Sequence, residues 1–88
     1  MKNAKPPNYE QLHQFLLELG FTSQPAEAHS RVYCHADSDT LIVFGSHPYD
    51  TPARSADLIS MRKLLIERGL IDARSLARRL KSFAAAAD

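Results

Sequence analysis

His29, His35 and His47 are side chains of this 88-residue chain whose type suits proton transfer near neutral pH, since an unperturbed imidazole titrates there. Three imidazoles on neighbouring strands could also meet around a metal ion. The sequence has no ligand spacing such as H-E-x-x-H or paired Cys-x-x-Cys, so no metal and no cofactor is expected. Cys34 is the single cysteine. It adjoins His35, but adjacent strand residues face opposite ways, which argues against a Cys–His nucleophilic pair. A buried structural thiol is expected of Cys34, and a hairpin cap of His35. Arg31 and Tyr33 share one strand face, a cation suited to phosphate beside a ring suited to stacking, and Tyr49 is a further ring of that kind. Arg74, Arg78 and Lys81 recur at i, i+4 and i+7 and form one basic helical face.

These groups must be positioned by a small number of elements. Asn8 reads as an N-cap with Gln11 in the capping-box position, and Leu12, Phe15, Leu16 and Leu19 form one apolar stripe. Gly20 is expected to stop that helix. Phe21–Gln24 is a short strand candidate, with Pro25–Glu27 as connector. His29–His35 alternates, placing Ser30, Val32 and Cys34 on one face and His29, Arg31, Tyr33 and His35 on the other. After the polar turn Ala36–Asp39, Thr40–Phe44 reads as a strand pairing back on its predecessor. Leu41 and Val43 oppose Ile42 and Phe44, so this strand is expected to be central or covered on both faces. A helix follows from between Pro52 and Ser55 to about Arg68, with Gly69 as its stop; Ile59 and Ile66 lie off its main stripe and predict a second neighbour. Asp72 caps a last helix carrying Leu76, Leu80 and Phe83.

The expected architecture is therefore α+β, with helix, three-stranded antiparallel sheet and helix in the order of the double-stranded-RNA-binding fold, plus an additional C-terminal helix. Residues 8–83 form the single domain, 1–7 a flexible N-terminal segment and 84–88 a flexible tail. Hydrophobic residues make up 44% and charged residues 24% of the chain, values of an ordinary globular domain. One cysteine permits no intrachain disulfide, the polar start has no signal-peptide h-region, and the apolar run Leu41–Phe44 cannot span a bilayer. A soluble, cytoplasmic protein with no membrane partner is expected. The net charge of +1 is unevenly spread. Met1–Pro52 carry three cations against six anions, and Ala53–Asp88 eight cations against four anions. The basic half suits phosphate, an acidic partner face, or plain solvation.

Over about Leu12–Leu70 the chain resembles the HicA-like (YcfA-like) family. The features that carry the resemblance are Leu19-Gly20-Phe21 at a helix end, the strand Ala28-His29-Ser30-Arg31-Val32-Tyr33-Cys34-His35, the segment His47-Pro48-Tyr49-Asp50, and a helix with Met61, Leu64 and Leu65 ending in Gly69-Leu70. The resemblance implies an mRNA-cleaving toxin that holds RNA on a dsRNA-binding-type surface, cuts it with a histidine on the sheet, and is neutralised by a HicB-type antitoxin. On this chain it implies His29 as base, His47 as second site group, and Arg31, Tyr33, Arg74, Arg78 and Lys81 as RNA contacts. The sequence departs from the pattern at one point. Ala28 holds the family's glycine position and His29-Ser30 stands transposed, so the catalytic register holds Ser30. A bulge near Glu27 or Ala28 would return His29 to that register. The alternative reading is a non-catalytic protein-interaction module, homodimeric through the doubly apolar strand or the second face of the Leu58–Ile66 helix.

Overall fold

A computed structural model describes residues 7–25, 30–45 and 49–86, with side chains through Phe83. His29, His47 and the expected bulge at Glu27–Ala28 lie outside the described residues. The elements run α1 (Tyr9–Glu18), β1 (Thr22–Pro25), β2 (Arg31–His35), β3 (Thr40–Phe44), α2 (Ser55–Glu67) and α3 (Ala73–Ala86). This is the α+β order read from the sequence.

Both ends of α1 are set locally. The Asn8 side chain accepts from the Gln11 amide at 2.8 Å, and the Gln11 side chain accepts from the Asn8 amide at 3.0 Å, closing the capping box. At the other end the Gly20 amide donates to Leu17 and the Phe21 amide to Leu16, with Gly20 at φ +101°. That pairing is a Schellman motif. It recurs after α2, where Gly69 donates to Ile66 and Leu70 to Leu65, with Gly69 at φ +73°. The Ser75 amide donates to Asp72 Oδ2, the cap expected for α3. That helix continues to Ala86, three residues into the stretch expected to fray; alanine has the highest intrinsic helix propensity.

The sheet is an antiparallel meander in the order β1-β2-β3. Pro25 was expected in a connector but belongs to β1, opposite Arg31. An edge strand tolerates proline because one side of its backbone needs no ladder donor. The His35 side chain accepts from the Ser38 amide and closes the β2–β3 turn as a cap, with Asp39 left-handed at φ 55°.

The helices cover one face of the sheet. The core joins Tyr9, Leu12, Phe15 and Leu16 of α1 to Tyr33, Ile42 and Phe44 of the sheet, and to Met61, Leu65 and Leu76 of the last two helices. Two expectations fail here. β3 is an edge strand, covered only on the side of Thr40, Ile42 and Phe44, while Leu41 and Val43 are 55% and 54% exposed. On β2 it is Tyr33 that enters the core, leaving Val32 and Cys34 half-buried on the other face. The reason is area: Tyr33, Ile42 and Phe44 carry far more apolar surface to the helices than the opposite set, and aromatic rings dominate such a choice. Ile66 packs against the core as expected of the second helical face, but Ile59 is 63% exposed and is not among the residues packed on the core.

Candidate functional site

The loop after β3 folds back over the start of α1. Tyr9 and Glu10 donate their amides to the carbonyls of Thr51 and Tyr49, at 3.1 and 2.9 Å. These are first-turn donors that no helix can satisfy internally, so the loop supplies the missing acceptors. The result fixes Tyr49 beside α1. The Arg31 guanidinium lies over the Tyr49 ring, 3.9 Å from its centroid, which ties the first residue of β2 to the same place.

His13 completes this cluster. Its ring meets Tyr49 edge-on at 5.3 Å and Tyr33 at 5.6 Å, and its Nδ1 is 2.9 Å from the Tyr33 hydroxyl. Burial, reinforced by Tyr49, pushes the Tyr33 phenol up to about 12, against the weaker opposing influence of Arg31 and a hydrogen bond with Ser23. The phenol therefore keeps its proton throughout the range in which imidazole titrates. The phenol oxygen and His13 Nδ1 share this hydrogen bond, which fixes the imidazole ring in place. The arrangement holds an oriented imidazole beside a cation stacked by its face.

The expected site residues divide in consequence. Arg31 is in the cluster. Tyr33 supports it from beneath, and the expectation that its ring stacks on a base is corrected: the residue is 0% exposed, inside the core. Tyr49, 39% exposed, is the ring at the surface. Arg74, Arg78 and Lys81 are exposed on α3 and are not part of this cluster. On α3 they lie about 140–180° round from Leu76 and Phe83, the residues facing the core. That helix also docks on the wrong flank of α1. Arg79 pairs with Glu18 at 2.8 Å and Phe83 packs on Phe15 at 5.9 Å, and Glu18 is about 140° round α1 from His13.

His13 was missed by the reading of the sequence. It is four residues after Tyr9 and three before Leu16, flanking the apolar stripe, and that position is its only signal. His35 is occupied elsewhere, with Nδ1 2.9 Å from Ser38 Oγ and its ring against Phe21. Among the described residues no group of three or more His, Cys, Asp or Glu could hold a metal, and no helix is long and apolar enough to cross a membrane. No family model, no curated protein and no solved structure matches the chain.

Proposed function

We propose that this chain is an RNA-binding protein of the HicA-like toxin–antitoxin type whose imidazoles cleave RNA. The observation that carries the reading is the Arg31–Tyr49 pair with the His13 ring against it. It combines what a single-stranded RNA site requires: a cation for phosphate, an exposed ring for a base, and a proton-transfer group. The sequence adds two further imidazoles to the same neighbourhood of the chain. His29 precedes Arg31 by two residues, and His47 precedes Tyr49 by two. In the reaction a base takes the 2′-hydroxyl proton, the 2′-oxygen attacks phosphorus, and the bond to the 5′-oxygen breaks as an acid protonates it. The products are a 2′,3′-cyclic phosphate and a free 5′-hydroxyl. Serine at position 30 cannot be the base at neutral pH, so the work falls to His29, His47 or His13. Arg74, Arg78 and Lys81 are outlying phosphate contacts in this reading, and a HicB-type antitoxin covers the cluster.

The test is induced expression of the chain alone in a bacterial host, with His13→Ala, His29→Ala and His47→Ala alongside. Growth arrest with cleaved mRNA, lost in at least one variant, is expected. Normal growth with intact mRNA would refute ribonuclease activity. RNA binding is then checked separately by fluorescence anisotropy across a salt series. Arg31→Ala is expected to weaken binding and lower the salt slope by about 1, as loss of one phosphate contact does. Wild-type protein that binds no RNA at low salt would end the RNA reading altogether.

A further inference from the structure

α3 carries Arg74, Arg78, Arg79 and Lys81, and no carboxylate between Ala73 and Ala86. Arg79 is engaged, paired with Glu18 and set over the rings of Phe15 and Phe83. The other three are exposed in one row on the outward side, and none is in an ion pair among the described residues. The row works against the helix that bears it. Arg74 is two residues past the Asp72 cap, in the first turn, where the helix dipole disfavours a cation and no acid is present to offset it. Arg74 and Arg78 are a like-charge pair at i,i+4, and Arg78 and Lys81 another at i,i+3; both are unfavourable. A face that needs only solvation gains nothing from this arrangement. Where several local rules are broken together at one surface, something other than fold stability sets the residues.

We propose that this row is a binding site in its own right for a phosphodiester strand, read without regard to base and separate from the cluster around His13. Spacing and surroundings both point to that ligand. Arg74 to Lys81 covers about 10 Å of helix, the length over which a stacked strand presents about three phosphates at ~3.4 Å each. The exposed residues that share the outward side are Ala77 and Ser82, so the row has no aromatic or large aliphatic side chain. A protein partner needs such an anchor at the centre of its contact, whereas a phosphate backbone does not. A lipid surface needs an apolar helical face to insert, and on α3 Leu76, Leu80 and Phe83 are already packed on the core. The inference goes beyond the ribonuclease reading, since it requires neither an imidazole nor cleavage.

The measurement is fluorescence anisotropy of the full chain on a labelled 2′-O-methyl RNA strand of about 12 nucleotides, which no 2′-hydroxyl attack can cut, at about 50 and 200 mM salt. Each single-strand phosphate contact adds about 0.7 to the salt slope, so three add about 2. Arg74→Gln, Arg78→Gln and Lys81→Gln combined should remove that share. Over the fourfold rise in salt, the wild type should then lose roughly 20-fold more affinity than the triple variant. Single-stranded DNA of the same length should show the same difference, because only phosphate is read. Arg62→Gln with Lys63→Gln, two exposed cations of α2, should leave the slope unchanged. Arg74→Glu alone should weaken binding yet raise the urea midpoint, since it puts an anion where the helix dipole favours one. A triple variant with the wild-type slope would overturn the proposal. So would an α2 pair that lowers the slope equally, or DNA binding indifferent to the row. Poly-glutamate that displaces the RNA at equal charge concentration would replace the strand by an acidic protein. Failure of the ribonuclease reading looks different: mRNA stays intact on expression, while the share of the slope due to the row survives in Arg31→Ala.

Discussion

The two helix-stopping glycines occupy the same motif but different surroundings, and replacing each with alanine separates backbone strain from steric contact. At Gly69, φ +73° is close to the left-handed well and nothing lies within 4 Å of an added Cβ. Alanine there costs about 1–2 kcal/mol of backbone strain, offset by about 0.4–1 kcal/mol of reduced unfolded-state freedom, for a net of roughly 1 kcal/mol. At Gly20, φ +101° lies well outside that well, and the new Cβ would meet His35 Nε2 at 3.3 Å and Cδ2 at 3.4 Å. The imidazole cannot swing aside freely, because Nδ1 is held by Ser38 and the ring packs on Phe21 at 5.1 Å. Gly20→Ala should therefore cost about 2–3 kcal/mol, the strain plus roughly 1 kcal/mol of overpacking, a large share of the 5–15 kcal/mol typical of a domain. Urea unfolding of both variants measures the difference. Repeating Gly20→Ala in a His35→Ala background should recover the steric part, as a positive coupling in a double-mutant cycle. If Gly20→Ala costs no more than Gly69→Ala, or if His35→Ala leaves its cost unchanged, the packing assigned to this corner is wrong.

Asn8→Ala removes the side-chain acceptor of the α1 capping box, leaving the Gln11 side chain its bond to the residue-8 amide, and should lower stability by about 1 kcal/mol in urea unfolding, whereas Asn8→Ser should retain most of it. Tyr33→Phe deletes the hydroxyl that holds His13 and should cost about 1 kcal/mol at neutral pH. Its pH dependence has a definite sign. The folded protein keeps the Tyr33 proton up to about 12 whereas the unfolded chain releases it near 10, so wild-type stability is full below pH 10 and declines between 10 and 12. The gap between wild type and Tyr33→Phe should accordingly narrow across that window. A constant gap would mean that the phenol is not buried as described.

The helices were legible because their boundaries are local. Asn8 with Gln11, Asp72, and the two glycines each act within one turn, and 3.6-residue periodicity then picks out the buried stripe without reference to the rest of the chain. The sheet was legible in its strands but not in its orientation. Alternation divides β2 into Arg31, Tyr33 and His35 against Val32 and Cys34, and hydropathy alone favours the second set as the inner one. The choice is made jointly by three strands and three helices, through the larger rings at Tyr33 and Phe44, and no single strand records it. The same holds for β3. Apolar residues on both of its faces read as a central strand, whereas the meander puts it at the edge and leaves Leu41 and Val43 uncovered.

The missed histidine follows from the misplaced tyrosine. Once Tyr33 is taken as a core residue, its hydroxyl becomes a polar group at the margin of an apolar cluster, and burial without a partner would cost about 1–3 kcal/mol. The partner must come from an element packed on that margin, and on α1 the residue that flanks the stripe with a side chain of suitable reach is His13. Tyr9 obeys the same constraint at its own margin, where its hydroxyl donates to Asp57 Oδ2 at 2.5 Å and accepts from the Arg54 amide at 3.1 Å. Among the described residues no buried side-chain nitrogen or oxygen is left without a partner. A buried tyrosine thus predicts a polar neighbour at the edge of the core. In this chain one such neighbour is a carboxylate that anchors a helix, and the other is an imidazole brought against a surface arginine and an exposed ring. The first arrangement serves only the fold. The second uses the same packing constraint to hold an imidazole against Arg31 and Tyr49, which is why the cluster around His13 is the place to test for the proposed chemistry.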